Sequence, residues 1–294
     1  MRKQFYKHLS NLFVSNPKVA IILGDIGVFS FQGCFSHDSK RIFNLGIMEQ
    51  TMIGVSSALS ANGFIPFVHS IAPFVTERCY EQLKLDLGYE SQNVFVVSVG
   101  NSYDYSALGS THHCPNDLLI TSAIPNFKTF CPGNSFDVEQ IIEENLNISQ
   151  PKYIRLSEQE NNLGRRTEDL EILDSCSFNG LVIIVGNAIK DINKFIKSDI
   201  DACILYTYNI SDFNIDKLNK IILELAVRKN IIVVEPSADS GIITKISLGV
   251  RNISKLSHIG FPKIFLDKYG SKQELDRHLG LDDESIIQKI KKIL

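Results

Sequence analysis

The sequence predicts an α/β protein of two three-layer α/β/α domains with mainly parallel sheets. Three observations carry this. Strand-sized apolar runs without alternation, such as Leu181–Val185 and Ile231–Val234, are the pattern of strands buried on both faces. Segments with apolar residues at helical spacing separate these runs, which is how parallel strands are joined. The alternation breaks at a polar, charged stretch over 161–177 and then restarts, and 294 residues suffice for two domains of roughly 100–200 residues each.

The elements follow in order. Val19–Gly24 reads as a buried strand. Met48–Asn62 has helical spacing, follows a short strand and stops at Gly63, a suitable helix C-terminus. Phe64–His69 is a second strand, and Phe74–Leu87 is a helical pattern with Phe74, Cys79, Leu83 and Leu87 on related faces. Asn93–Gly100 is the clearest strand. A helix is expected over Pro115–Ala123, with proline in the first turn where its missing N–H does no harm. Lys128–Cys131 and Lys152–Leu156 are further strands. Asn161–Ser177 reads as a linker. Beyond it come strand Leu181–Val185, helix Ile192–Lys197, strand Ala202–Tyr206, helix Ile215–Lys229 and strand Ile231–Glu235, then helices Gly241–Val250 and Asp283–Leu294.

Composition excludes several classes. At 44% hydrophobic and 21% charged, the chain can build ordinary cores, so disorder and coiled coil are poor fits. Thirty basic against 33 acidic residues leave a net charge of -3 and no broad nucleic-acid footprint. No apolar run approaches the ~20 residues that span a bilayer. The N-terminal residues lack the apolar core of a signal peptide. Six cysteines, at 34, 79, 114, 131, 176 and 203, form no C-x-x-C pair. They read as reduced, mostly buried thiols, which fits the cytoplasm, and structural zinc is not expected.

Two clusters carry the chemistry. Asn44-Leu45-Gly46-Ile47-Met48-Glu49-Gln50 joins a short strand to a helix and places Glu49 near the helix N-terminus, among Ile47, Met48 and Met52. A carboxylate there is either a helix-dipole partner or a partly desolvated group that binds a heterocycle nitrogen. Leu108-Gly109-Ser110-Thr111-His112-His113-Cys114-Pro115 lies between a strand and a helix, where open α/β sheets place ligands. A histidine there can donate or shuttle protons, and of two adjacent ones at most one faces a given site. A surface loop explains them equally well. Gly24-Asp25-Ile26-Gly27 lacks the third glycine and the following helix of a dinucleotide motif. It also lacks the spacing of a Gly-Asp-Gly metal–diphosphate motif, with Asn44 too near.

Together these segments resemble the C-terminal half of transketolase, above all split transketolases in which that half is a separate subunit. Gly24-Asp25-Ile26-Gly27 is similar to the family's Asp-Leu-Gly, and Gly46-Ile47-Met48-Glu49-Gln50 to its Gly-Ile-x-Glu-His/Gln. Ser70-Ile71-Ala72-Pro73-Phe74, with Arg78-Cys79-Tyr80-Glu81-Gln82, resembles Thr-Phe-x-x-Phe and Arg-x-Trp/Tyr-Glu-Gln. Gly109-Ser110-Thr111-His112 resembles Gly-Pro/Ala-Thr-His. Cys131-Pro132-Gly133-Asn134 stands where the family has Pro-Ala-Asp, and Tyr269-Gly270-Ser271-Lys272-Gln273-Glu274-Leu275 resembles its C-terminal domain. The resemblance runs over essentially the whole chain, with the motifs in order.

The resemblance implies a pyrimidine-binding domain over 1–165, a linker over 166–177 and a C-terminal domain over 178–294. The first would have the thiamine-diphosphate-binding fold. It implies thiamine diphosphate as cofactor and transfer of a two-carbon ketol unit between sugars. Glu49 would hydrogen-bond the aminopyrimidine N1′, favouring the imino tautomer whose exocyclic nitrogen takes the C2 proton. Phe74 would stack on the pyrimidine with Ile71 and Ile47 beside it, and Asp25 would approach the thiazolium. His112 would meet substrate hydroxyls or the developing alkoxide. The family's Gly-Asp-Gly…Asn diphosphate motif is not found, so the resemblance implies a partner subunit that holds the diphosphate and its Mg2+ (or Ca2+), in an α2β2 assembly.

Departures bear on substrate. The family's substrate-side Asp is Leu108 here, its substrate His is Gly100, and its phosphate-binding Arg is Glu158. A carboxylate there repels a sugar phosphate, which points to an unphosphorylated or nucleotide-linked sugar. Tyr103, Asp104 and Tyr105, in the loop before His112, are candidates to replace the lost contacts, with Glu158 as a further substrate-side residue. Arg78 and Glu81 read as helix-surface or interface pairs, and His69 as a core residue or one that supports the site from behind. A deoxyxylulose-phosphate-synthase-like or 2-oxo-acid dehydrogenase β-like subunit, or a non-catalytic stabilising subunit, are the other readings.

Overall fold

The computed structural model describes residues 1–166, 168–175, 179–225 and 230–294. Helix α1 (Arg2–Ser15) leads into a first sheet built from β1 (Val19–Leu23), β2 (Ile42–Asn44), β3 (Ile65–Ile71), β4 (Phe95–Val99), β5 (Lys128–Phe130) and β6 (Lys152–Arg155). The strand order is β2-β1-β3-β4-β6-β5 and every pairing is parallel. Strands β1, β3, β4 and β6 are buried at every position, which explains the unbroken apolar run of β1 and the mainly apolar β3 and β4. The pleat sends alternate residues to opposite faces. Ile21, Leu23 and Phe67 pack with Phe5, Leu9 and Phe13 of α1. Ile22 and Val68 pack with Met52 and Ile53 of the helix after β2.

The connecting helices are α2 (Gln32–His37), α3 (Glu49–Ala61), α4 (Ala72–Val75), α5 (Tyr80–Gln82), α6 (Asp117–Ser122) and α7 (Ser135–Asn145). The continuous helix expected over Phe74–Leu87 is instead broken. The Thr76 hydroxyl donates to the Ala72 carbonyl at 2.6 Å and closes α4 early. The chain resumes at α5 and runs into π-helical turns over Leu83–Tyr89. Helix α7, beyond the helices expected above, buries Val138, Ile141 and Ile142 at helical spacing. Its N-cap is Asn134, whose side chain accepts from the Phe136 and Asp137 N–H groups.

A second sheet holds β7 (Glu171–Asp174), β8 (Leu181–Val185), β9 (Cys203–Thr207), β10 (Asn230–Val234) and β11 (Lys255–Ile259), in the order β11-β10-β8-β9-β7. Only β7 is antiparallel. This corrects the linker reading: within 161–177, residues 171–174 add an edge strand to the second sheet, and Leu170 before them is fully buried. Positions 167, 176 and 177 lie outside the described residues. Around this sheet stand α8 (Ile192–Ile196), α9 (Ile215–Glu224), α10 (Ile242–Gly249), α11 (Lys272–Leu279) and α12 (Asp283–Ile293). The end of the helix expected over Ile215–Lys229 also lies outside the described residues. Cys34, Cys79, Cys114, Cys131 and Cys203 are buried and free, while Cys176 is not described. No described helix is long and apolar enough to cross a membrane.

The two sheets meet through polar ties. The Cys131 N–H donates to the Tyr208 carbonyl at 2.8 Å, and Phe130 bridges to Asn209. Arg155 at the end of β6 pairs with Asp117 at 2.9 Å, both side chains fully buried. Arg155 also donates to the Ser102 hydroxyl at 2.6 Å, and that hydroxyl donates to the Pro236 carbonyl after β10. One buried guanidinium thus fixes the loop after β4 to the second sheet.

Candidate active site

The carboxyl ends of parallel strands are where an open α/β sheet presents ligand-binding loops. Here β1 delivers Asp25, β2 delivers Asn44, β3 delivers Ile71, and β4 delivers Gly100 and the loop to His112. Glu49 is the first residue of α3 and is 2% exposed. Its Oε2 pairs with Arg78 Nη1 at 2.8 Å, and its Oε1 accepts from the Ser70 hydroxyl at 3.4 Å. The Arg78 guanidinium also lies over the Phe74 ring, 4.4 Å from its centroid. The His112 ring meets Phe74 edge-on at 5.3 Å and Tyr105 at 6.2 Å. Glu49, Arg78, Phe74, His112 and Tyr105 therefore form one contiguous array.

Several expectations need correcting. Ile47 and Met48 are 71% and 55% exposed, so they do not enclose Glu49; its polar neighbours are Arg78 and Ser70. Arg78 is no mere surface pair, because the break after α4 turns its side chain back over Phe74. Tyr103 points away from the array: its hydroxyl donates to Asp276 at 2.6 Å and its ring packs on Phe261. Of the three loop candidates Tyr103, Asp104 and Tyr105, it is Tyr105 whose ring stands beside His112.

The remaining residues lie as follows. Asp25 is exposed at φ 64°, and its carboxylate accepts from the Asn44 side chain at 2.9 Å while its own N–H donates back to Asn44 at 2.9 Å. Ile71 is buried at the end of β3. Of the two histidines, His112 is half-buried in the array, with Nδ1 3.0 Å from the Thr111 hydroxyl. His113 is turned inward, and burial pulls its pKa down. Ser110 donates to the Leu266 carbonyl at 3.3 Å, so the second unit braces this loop.

A narrow recess opens beside the array, lined by Gly100, Asp104, Tyr105, Glu158 and Arg2. Asp104 accepts from the Ser157 hydroxyl at 2.7 Å and from the Glu158 N–H at 3.4 Å, and burial raises its pKa. Gly100 must be glycine: its φ is +79°, and an added Cβ would stand 2.2 Å from the Tyr105 ring. Arg2 carries no sequence signal, since α1 has no motif and only packing brings its first turn to the ends of β4 and β6.

The arrangement suits a flat nitrogen heterocycle. The Arg78 guanidinium is planar, donates to Glu49 and stacks on Phe74, so a planar N–H group already fits between that carboxylate and that ring. An aminopyrimidine needs the same two partners. Among the described residues no group of three or more His, Cys, Asp or Glu is placed to hold a metal.

Residues 1–163 match the family model for the transketolase pyrimidine-binding domain. A 33.6 kDa protein of the fasciation locus of Rhodococcoides fascians is 29% identical over 97% of this chain and 92% of its own length. One of the subunits of the apulose-4-phosphate transketolase of Actinobacillus succinogenes is 33% identical, over 52% of this chain and 52% of its own. A structure of a split-gene transketolase, an inactive beta4 tetramer, superposes with a TM-score of 0.82 at 21% identity, over 100% of this chain and 97% of that one. The model match over more than half of the chain places it in a family, and the chain belongs to the transketolases through their pyrimidine-binding domain.

Proposed function

We propose that this chain is one subunit of a thiamine-diphosphate-dependent enzyme that transfers a two-carbon ketol unit between sugars. Residues 1–165 would bind the pyrimidine, a short segment would connect, and the second unit, from the β7 strand (Glu171–Asp174) onward, would form the C-terminal domain. The diphosphate and its Mg2+ (or Ca2+) would be held by a partner subunit in an α2β2 assembly. The observation that carries the reading is the buried Glu49 carboxylate facing Arg78 above the Phe74 ring, at the carboxyl edge of the first sheet. The relative from Actinobacillus succinogenes, named as a transketolase subunit, and the likeness to a split-gene transketolase support a division of labour between subunits.

When bound, thiamine diphosphate supplies the electron sink for breaking and forming the carbon–carbon bond. The chain's own residues do the rest. Glu49 would hold the proton shared with the pyrimidine ring nitrogen, at the place where Arg78 donates to it in this structure. Phe74 and Ile71 would pack against the ring, Ile47 would flank it from the surface, and Asp25, whose carboxylate Asn44 orients, would stand by the thiazolium. His112 donates a hydrogen bond to the oxygen on which negative charge develops. In the recess, Arg2 and Glu158 offer opposite charges, so no net positive charge holds a phosphate dianion. Sugar hydroxyls satisfy both, which favours an unphosphorylated or nucleotide-linked sugar.

The test begins with co-purification with a candidate diphosphate-binding subunit. Calorimetric titration of the complex with thiamine diphosphate and Mg2+ follows, then a donor–acceptor sugar screen. Saturable cofactor binding only by the complex is expected. Binding by neither the complex nor the chain overturns the reading, and normal turnover of standard ketose phosphates overturns the substrate class.

A further inference from the structure

Between the loop after β4 and the second unit lies a cavity of about 30 Å³ that the array around Glu49 does not use. Asn101 and Asp104 line it from the loop, Asn187 from the turn after β8, and Glu235 from the end of β10. Lys272 at the start of α11 and Ile286 of α12 complete this part of the wall. One water-sized occupant takes roughly 10–15 Å³ on the same measure, so the space suits one or two small polar species and no sugar.

Three buried polar atoms of this lining have no hydrogen-bond partner. Asn101 is 3% exposed, and neither its Oδ1 nor its Nδ2 is bonded. Asn187 is buried as well; its Nδ2 donates to the Gln159 carbonyl at 3.4 Å, while its Oδ1 is unpartnered. Buried side-chain amides are nearly always bonded, because leaving them bare is costly. These two belong to different units and meet at one cavity, which points to a shared occupant.

The lining is rich in acceptors. Asp104 accepts from the Ser157 hydroxyl and the Glu158 N–H. Glu235 accepts from the Ser237 hydroxyl at 3.2 Å, and its other oxygen lies 2.7 Å from His258 Nε2. The Lys272 ammonium is committed to Asp276, donating to its two carboxylate oxygens at 2.8 and 3.1 Å. Two carboxylates and two unpartnered amide oxygens thus face one unpartnered donor, Asn101 Nδ2. What fits is a small species that brings positive charge and no acceptor of its own. Amide and carboxylate oxygens suit a hard cation. A divalent metal is not favoured, since no described group of three His, Cys, Asp or Glu is placed to hold one.

We propose that this cavity binds a small monovalent cation, held by the side-chain oxygens of Asn101, Asn187, Asp104 and Glu235. Its ligands come from both units, so the ion braces the loop that runs from β4 to His112 against the second sheet. It adds to the tie that the Ser102 hydroxyl makes to the Pro236 carbonyl beside it.

The test uses the full chain in potassium, ammonium or sodium chloride, each against tetramethylammonium chloride at equal ionic strength. At least one of the small ions is expected to raise Tm saturably by about 3 °C, and tetramethylammonium, too large for the cavity, should not. Asn101→Leu and Asn187→Leu replace an unpartnered amide by an apolar group of similar size, so both should fold yet lose the ion-specific rise. The general effect of salt remains in these variants and cancels in the comparison. A rise that persists in both variants puts the ion elsewhere and overturns the site, and no ion-specific rise in the wild type overturns it too. A second measurement needs no variant. Crystals grown with thallium(I), a potassium substitute, should show an anomalous peak within reach of Asn101 and Asn187. Ordered water there without a thallium peak overturns the proposal.

Discussion

The two sheets end in loops of opposite character. At the carboxyl edge of the first, Glu49 pairs with a guanidinium that is 45% exposed, beside an aromatic face and a half-buried histidine. At the carboxyl edge of the second, Glu235 is equally buried but held at 2.7 Å by His258 and at 3.2 Å by Ser237. Both are mainly parallel sheets with helices about them. The difference lies in what closes each carboxylate: a guanidinium that also lies over the Phe74 ring at Glu49, and a histidine and a serine at Glu235. A shared architecture therefore says little about chemistry, which resides in the loops.

The largest expected effect falls on the first edge. Glu49→Gln should lower ketol transfer by the assembled enzyme at least ~100-fold at saturating cofactor, the usual scale for losing a proton-transfer group. Glu235→Gln should leave kcat nearly unchanged and cost about 1–3 kcal/mol of folding stability. Equal kinetic losses in the two variants would erase the contrast.

Next comes the junction. Asp117→Asn leaves the fully buried Arg155 without its counter-charge, and a broken buried pair costs about 3–5 kcal/mol. Denaturant unfolding measures this, and an unchanged midpoint would mean the two units do not depend on that tie.

A third prediction concerns pH. His69 has a folded pKa of about 4 against 6.5 unfolded, mainly through burial, so the unfolded chain binds the proton first as acid is added. Its contribution is complete above pH 6.5 and is lost as pH falls toward 4, by about 3 kcal/mol in all. Unfolding of wild type and His69→Gln across that range isolates the effect: their difference should shrink as pH falls, and a constant difference would refute it. The smallest effect is expected for Phe74→Ala, which should weaken thiamine diphosphate binding about tenfold through lost stacking, read by calorimetry.

Legibility from sequence followed the range of the forces involved. Continuous apolar strands such as Phe95–Val99 and Leu181–Val185 announce burial on both faces, and both are readable. The capping box of α11, Ser271 with Glu274, is present as a Ser-x-x-Glu signal, although that signal alone does not draw the helix. Helix α1 is legible by periodicity, since Phe5, Leu9, Leu12 and Phe13 recur at helical spacing on the face it buries. Strand β7 escapes it because it is a short, half-exposed edge strand in a charged stretch, where composition favours a linker.

By itself the sequence determined the α/β class, the order of the motifs and the placement of Glu49 and His112 at strand ends. These depend on periodicity and on loop position, both local properties of the chain. Only the tertiary structure decided that Arg78 folds onto Glu49 and Phe74, that Tyr105 rather than Tyr103 stands beside His112, and that Arg2 reaches the recess. Each depends on the direction of a side chain after a break or turn, or on contact between segments more than 90 residues apart, as with Arg2 and Gly100. Such contacts are set by packing across the whole core and leave no local pattern to read.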